Sequence, residues 1–376
     1  MQSPSEHAKA VDMHILASAV QHLLNDDRAA IIHHQHAQIH GGFGGGIGGT
    51  AVYRFSGTAQ VGDAVREWSL IGKLLLRGDD TPTSTHYWRR EAEAYHAGLL
   101  NDLDGGLRAP RCFGMTEAHD AVWIWLEEIG DDVGQWPLAR YGLTARHLGQ
   151  FNGAYLTGSP LPDDAWLSQQ WIRHNMIGTE QSLRLLTDMP DNPLIAQVLP
   201  GDGVARVLRL WDEHQHFLDA LDKLPQTLCH HDAFRRNLFA QGDTTVAVDW
   251  GFVGIGAVAE DLAAMVWVTL FFMEVSSADI HEFDRISYDS YLTGLRDAGW
   301  QGDERLVRLG YTIAVPMRRF VTLWHDLPKF LDAGRHHALE AMMQHPIDDI
   351  IAHFVKLDHF TAQLTNEARE LYATLF

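Results

Sequence analysis

The sequence predicts an α+β fold, with a small antiparallel-sheet part first and a larger, mostly helical part after it. Three observations carry this. Before about residue 127 the apolar stretches are short, β-rich and bounded by turn residues, the pattern of strands. From Leu143 onward apolar residues recur at helical spacing through most of the chain. Between the two, the apolar run Ala121–Leu126 ends on Glu127-Glu128-Ile129-Gly130, where a hinge is expected. Strands grouped before helices, rather than alternating with them, indicate α+β and not a wound parallel sheet. A chain of 376 residues can hold two lobes with a core each. The expected division is 1–127 and 128–376.

Composition narrows the function classes. Lys and Arg number 29 against 49 Asp and Glu, a formal charge of −20 with His neutral. Such a surface repels nucleic acid and anionic membranes, so neither is expected as a partner, whereas a cationic small molecule would be favoured. Cys112 and Cys229 are far apart and alone, so no disulfide framework or CxxC site is expected, which suits a reducing, cytoplasmic compartment. The start MQSPSEHAKAVDMH lacks the basic and apolar regions of a signal peptide. Leu262–Val275 is the most apolar run, too short to span a bilayer, and reads as a buried helix. Oligomeric state has no signature here.

In chain order, Val11–Asn25 reads as an amphipathic helix and Ala29–His40 as a strand. The strand carries His33, His34, His36 and His40, but no carboxylate or Cys joins them at a ligand spacing, so a metal site is not expected. Gly41–Gly49 (GGFGGGIGG) satisfies GxGxxG at Gly44, Gly46 and Gly49. A dinucleotide fingerprint needs a helix directly after the glycines, but β-rich Thr50–Gly57 follows. The glycines therefore read as a strand-loop-strand hairpin suited to close approach of backbone amides to phosphates, or as a linker without a ligand. Trp68–Arg77 is an apolar strand with one charge inside it, Lys73. A buried ammonium needs a partner; the helical stretch Thr85–Leu100 supplies Glu91, the first choice, and Glu93. Arg111–Met115 and Ala121–Leu126 are two further strands. Helices are expected over Leu143–Leu156, Trp166–Met176, Pro193–Val198, Val204–Leu221, Leu262–Val275, Phe283–Ala298 and Glu304–Trp324, with Pro316 kinking or splitting the last.

The chemistry-bearing stretch is Leu228–Asp261. Asp232 lies five positions before Asn237, and Asp249 follows the short apolar strand Thr245–Val248. One carboxylate can face a reacting hydroxyl while an amide oxygen and a second carboxylate hold a hard cation such as Mg2+. Asp and Asn are also common in turns; the three together at this spacing around a strand are the specific signal.

These residues resemble the aminoglycoside phosphotransferase and choline kinase-like family of small-molecule kinases. Its His-x-Asp-x-x-x-x-Asn pattern is met by His230, Asp232 and Asn237, and its Val/Ile-Asp-Trp motif by Val248-Asp249-Trp250. Glu260-Asp261-Leu262 resembles its following helix start. Gly48-Gly49-Thr50, Tyr53-Arg54, Lys73 and Arg90-Glu91-Ala92 resemble its nucleotide side. The resemblance implies a two-lobed protein-kinase-like fold with ATP between the lobes. It places adenine against backbone near Leu126 and Glu128, and phosphates under a flap that includes Gly48 and Gly49. Lys73 would hold the α- and β-phosphates and Glu91 would orient it. Asp232 would be the base, Asn237 and Asp249 would bind Mg2+, and His230 would support the loop. The implied activity is ATP- and Mg2+-dependent phosphorylation of a hydroxyl on a small molecule: an amino sugar, sugar, amino alcohol or natural product. The competing class is a non-catalytic nucleotide-binding or scaffold protein, against which the intact Lys73, Asp232, Asn237 and Asp249 argue.

The sequence departs from the family at His231, where many relatives have glycine, so the site is either crowded or given a substrate contact; His231-Asp232 also suggests a metal hydrolase, a weaker reading. Arg235 and Arg236 either neutralise the transferring group or form loop salt bridges, the second being favoured. Asp131, Asp132, Asp163 and Asp164 either attract a cationic substrate or are solvated loop charges, again the favoured reading.

Overall fold

The computed structural model describes residues 4–9, 11–39, 50–118 and 120–376. The glycine run, with Gly48 and Gly49, and His40 lie outside the described residues. The first part holds α1 (Pro4–Lys9), α2 (Met13–Leu24), β1 (Ala30–Ile39), β2 (Thr50–Val61), β3 (Ala64–Leu76), α3 (Arg90–His96), β4 (Leu107–Arg108), β5 (Cys112–Ala118) and β6 (Ala121–Glu127). Five of the strands form an antiparallel sheet in the order β1-β2-β3-β6-β5. β2 and β3 run further than their apolar cores suggest. They meet at Gly62-Asp63, where Gly62 takes a φ of 57° that a two-residue hairpin requires. The helix expected over Thr85–Leu100 is only α3. Upstream of it, side chains satisfy the local backbone instead: Asp79 accepts from the Thr81 N–H at 2.9 Å and Ser84 from the His86 N–H at 3.3 Å, the competition that keeps such residues out of helices.

The second part holds α4 (Leu138–Thr157), β7 (Ser168–Gln169), α5 (Trp171–Asn175), α6 (Thr179–Asp188), α7 (Pro193–Val198), α8 (Gly203–Leu221), β8 (Gln226–Cys229), β9 (Leu238–Gln241), β10 (Thr244–Ala247), β11 (Gly254–Ala257), α9 (Glu260–Phe271), α10 (Ile280–Asp297), α11 (Glu304–Phe330), α12 (His336–Met343) and α13 (Ile347–Leu375). The short strands make two small mixed sheets, β4-β10-β9 and β7-β11-β8, among the helices. α11 runs through Pro316 and Pro328 without splitting. Residues 309–320 are buried throughout, and that packing overrides the lost backbone bond. No described helix is long and apolar enough to cross a membrane.

The cores do not follow the expected one-per-lobe division. The inner face of the sheet (Leu75, Val122, Ile124, Leu126) and α3 (Ala92, Ala94, Tyr95) join one large core with the second part's helices. The smaller core lies on the outer face, where Leu16, Ala19 and Val20 of α2 cover Phe55, Leu70, Leu74 and Trp125. β3 is therefore apolar on both faces, which is why its sequence reads as a nearly unbroken hydrophobic run.

α4 is held against α10 by glycine contacts. A Cβ on Gly149 would lie 2.2 Å from the Tyr291 carbonyl oxygen, and one on Gly294 would lie 2.0 Å from that of Arg146. Both neighbours are backbone and cannot yield without moving a helix. Gly294→Ala is expected to destabilise the protein by about 3 kcal/mol or more, read as a lowered midpoint in urea unfolding, while Gly299→Ala serves as a control with open space at its Cβ and strain only in the backbone.

Candidate active site

β3 is an interior strand, with Lys73 opposite Val52 on one side and Ile124 on the other. Its side chain leaves the inner face beside Leu75 and cannot reach bulk water; it is 8% exposed. Two carboxylates take it. Glu91, in the first turn of α3 and 2% exposed, is ion-paired to Nζ. Asp249 Oδ1 lies 2.7 Å from the same nitrogen. Glu93 instead pairs with Arg89, so Glu91 is the partner, as expected. Burial alone would lower the Lys73 pKa, but the Asp249 and Glu91 carboxylates outweigh it and hold the ammonium charged. Burial likewise works to raise the Asp249 pKa, and the Lys73 charge outweighs it and keeps it below the ordinary carboxylate value. The Asp249 side chain is nonetheless 53% exposed, so its second oxygen faces solvent.

β8 delivers the loop that begins at His230. The His230 ring is buried, packs on Trp250 with centroids 4.4 Å apart, and is kept neutral chiefly by desolvation. Its Nδ1 accepts the Asp232 N–H at 3.2 Å and its Nε2 donates to the Val248 carbonyl at 3.0 Å; one neutral tautomer satisfies both. The Val248 N–H donates to the Asn237 carbonyl at 2.9 Å. These links bring Asp232, Asn237 and Asp249 into one place. Asn237 Nδ2 donates to Asp232 Oδ2 at 2.9 Å and to the Asp232 carbonyl at 3.0 Å. Burial, then the nearby Asp249 charge, pushes the Asp232 pKa up to about 7.

Leu126 is buried in β6, paired between Ile71 and Cys112. Glu128 is the first residue past β6, where the ladder to β3 has stopped. Its carboxylate is tied to Arg54 of β2 and Ser69 of β3.

The residues that hold the loop were less visible in sequence. Asp261, in the first turn of α9 and fully buried, accepts the His230 N–H at 3.0 Å, the His231 N–H at 2.8 Å and Asn152 Nδ2 at 3.1 Å. Arg318, 2% exposed, donates to the His231 carbonyl at 2.6 Å and lies over the Trp171 ring. Asn152 and Arg318 each lie in a helix with several other polar side chains, and nothing local says what either reaches.

His231 neither crowds the site nor faces a substrate. Its φ of 64° explains why glycine suits this position. Its ring is fully buried, stacks on Trp171 with centroids 6.0 Å apart and lies 3.5 Å from Glu260. Arg235 and Arg236 are also engaged elsewhere. Arg235 pairs with Asp131, donates to the Gly134 carbonyl at 2.9 Å and lies over Trp136. Arg236 meets Glu274 at 3.1 Å over the Phe272 ring. Asp131 and Asp132 are not free acids for a substrate: they accept the Ala240 and Gly242 N–H groups, each at 2.9 Å. Among the described residues no three His, Cys, Asp or Glu side chains come together as a metal cage.

Residues 165–291 match the model of the phosphotransferase enzyme family. The matched segment contains Asp232, Asn237, Asp249 and Asp261. No curated protein matches the chain in sequence. Among solved structures the fold is similar to that of choline kinase from Cryptosporidium parvum Iowa II, with a TM-score of 0.55 at 9% identity over 96% of this chain and 100% of that one. It is also similar to amicoumacin kinase hAmiN in complex with AMP-PNP, Ca2+ and Ami, with a TM-score of 0.51 at 16% identity over 92% and 96%. What these two structures share with the chain is a kinase-like fold.

The raised Asp232 pKa sets a stability sign. The folded value lies above the unfolded one, so the carboxyl favours folding below about pH 4 and opposes it once ionised above about 7. Asp232→Asn is therefore expected to melt above the wild type at pH 8, by about 2 °C or more, with the difference fading toward pH 4. Differential scanning calorimetry of the nucleotide-free protein across this range is the measurement.

Proposed function

We propose that the protein transfers the γ-phosphoryl group of ATP, with Mg2+, to a hydroxyl group of a small molecule. The observation that carries this is the convergence of a paired, charged lysine with the Asp232, Asn237 and Asp249 side chains. Supporting it, the similar amicoumacin kinase was solved with AMP-PNP and Ca2+. We extend the division at residue 127 to function: the sheet part with α3 serves the nucleotide, and the helical part supplies the loop and acceptor side.

The donor set fits the cation. Asp249 keeps one oxygen toward solvent, and Asn237, whose Nδ2 is engaged by Asp232, has its amide oxygen left to offer. Mg2+ takes one or two protein oxygens and fills its shell with water and phosphate oxygens, so a ready-made cage is not required. When bound, Mg2+ would neutralise charge on the phosphate oxygens.

The chain's own residues do the rest. Lys73, held charged and aimed by Glu91, would bind the α- and β-phosphates. Backbone near Leu126 and Glu128 would take adenine, with Gly48 and Gly49 in the phosphate flap. Asp232 Oδ2 is fixed by Asn237, which leaves Oδ1 to orient the acceptor hydroxyl and receive its proton. Positioning and charge neutralisation supply most of the acceleration in this reaction class. The acceptor belongs among amino sugars, sugars, amino alcohols or natural products; the −20 charge favours a cationic one.

Asp232→Ala is expected to lower kcat by about a thousandfold while leaving the Kd for Mg·ATP within about threefold. An acceptor panel with labelled ATP, read by mass spectrometry, supplies the assay; unchanged turnover would exclude Asp232 as the base. Asp249→Ala should bind ATP equally with and without Mg2+ by calorimetry. A persisting Mg2+ dependence would place the cation elsewhere.

A further inference from the structure

Arg90 is the first residue of α3 and is 0% exposed, yet among the described residues no carboxylate pairs with it. Four backbone carbonyls do. Nε donates to Trp166 at 2.7 Å, Nη1 to Thr85 at 2.8 Å and to Gly251 at 3.1 Å, and Nη2 to Ser84. These acceptors come from three separate places: the turns before α3, the segment between α4 and β7, and the loop two residues past Asp249. Burial pushes the Arg90 pKa down to about 10, so the group stays charged at neutral pH while lacking water. A cation at a helix N-terminus also opposes the helix dipole. Neither cost is explained by α3 needing a cap, since an uncharged residue would serve there.

Sequence adjacency supplies the explanation. Arg90 precedes Glu91, which holds Lys73, and the Gly251 carbonyl follows Asp249, which holds the same Lys73. We infer that Arg90 is a positioning residue that ties α3 to the Asp249 loop and to the helical part, and so fixes Lys73 between its two carboxylates. The planar fork is the reason for arginine: lysine offers one compact charge and cannot reach carbonyls in four directions. The Glu91–Lys73 pair is thereby built in, not assembled when a ligand arrives. This rests on the reading of Lys73 as the phosphate-binding group.

Two substitutions test it, Arg90→Gln and Arg90→Lys, each with its melting midpoint as a check of folding. The first measurement needs no nucleotide: acetic anhydride labelling of Lys73, with exposed Lys223 and Lys356 as internal references. In the wild type Lys73 should label slowly, being paired and protonated. In Arg90→Gln, where α3 and the Asp249 loop are no longer tied together, local opening should free the amine and it should label about tenfold faster or more. The second measurement is the Kd for Mg·ATP in Arg90→Lys, Glu91→Gln and the double variant. Each single change should weaken binding by about tenfold, and the double variant should be little worse than either, because both act through Lys73. Unchanged Lys73 labelling, or additive losses in Kd, would overturn the inference. Failure of both Arg90 variants to fold would also overturn it, in favour of a plain core role. A wild type that does not bind Mg·ATP would sink the nucleotide reading alone, since the labelling comparison would still decide what holds Lys73.

Discussion

The structure depends on one ammonium group shared by two carboxylates. An unpaired Lys73 in an interior strand would cost several kcal/mol, so the fold must bring anions to it from elsewhere. One comes from α3 in the first part of the chain and the other from the loop after β10 in the second. Because the pair spans both parts, the large core spans them too: Leu75 and Ala92 share it with Trp250 and Leu262. Chemistry and packing thus place the same demand on the chain.

The loops that carry Asp232 and Asp249 are strained, and buried charges hold them. His231 and Asp249 have φ values of 64°, and Ala259 has 75°. Non-glycine residues in that region cost of order 1 kcal/mol or more each. Asp261 offsets this with two backbone N–H bonds into the His230-His231 turn, and Arg318 adds one to the His231 carbonyl. Such bonds to ionised groups are worth about 1.5–3 kcal/mol each. The surrounding polar contacts therefore over-determine a backbone that would relax if left alone, which is how a reactive geometry persists without a bound ligand.

What was legible in sequence follows from range. Lys73 stood out as one charge in an apolar strand, and Asp232, Asn237 and Asp249 stood out by spacing, because the physical cause is local in each case. The five-stranded sheet and most helices were legible for the same reason. Most missed features have distant causes. β8 and β11 have four residues each and exist through partners far along the chain, each other and β7. The Thr85–Leu100 helix is the exception: it shrank for a local reason, since the Ser84 side chain accepts the His86 N–H. Arg90 and Arg318 look like surface arginines in a linear reading; only packing shows that each ends on carbonyl oxygens.

The charge arrangement also bears on the order of events under the proposed reading. Without nucleotide, Asp249 is occupied by Lys73, and burial, then the nearby Asp249 charge, raises the Asp232 pKa to about 7. Glu91 keeps Lys73 paired on its other side, and the Asp249 side chain is half exposed. A polyphosphate would draw on Lys73, and a divalent cation on Asp249 would replace the charge it gives up. Nucleotide and divalent cation should therefore favour each other's binding. The same exchange would leave Asp232 beside a neutralised Asp249, lowering its pKa and readying it as a base once the site is filled.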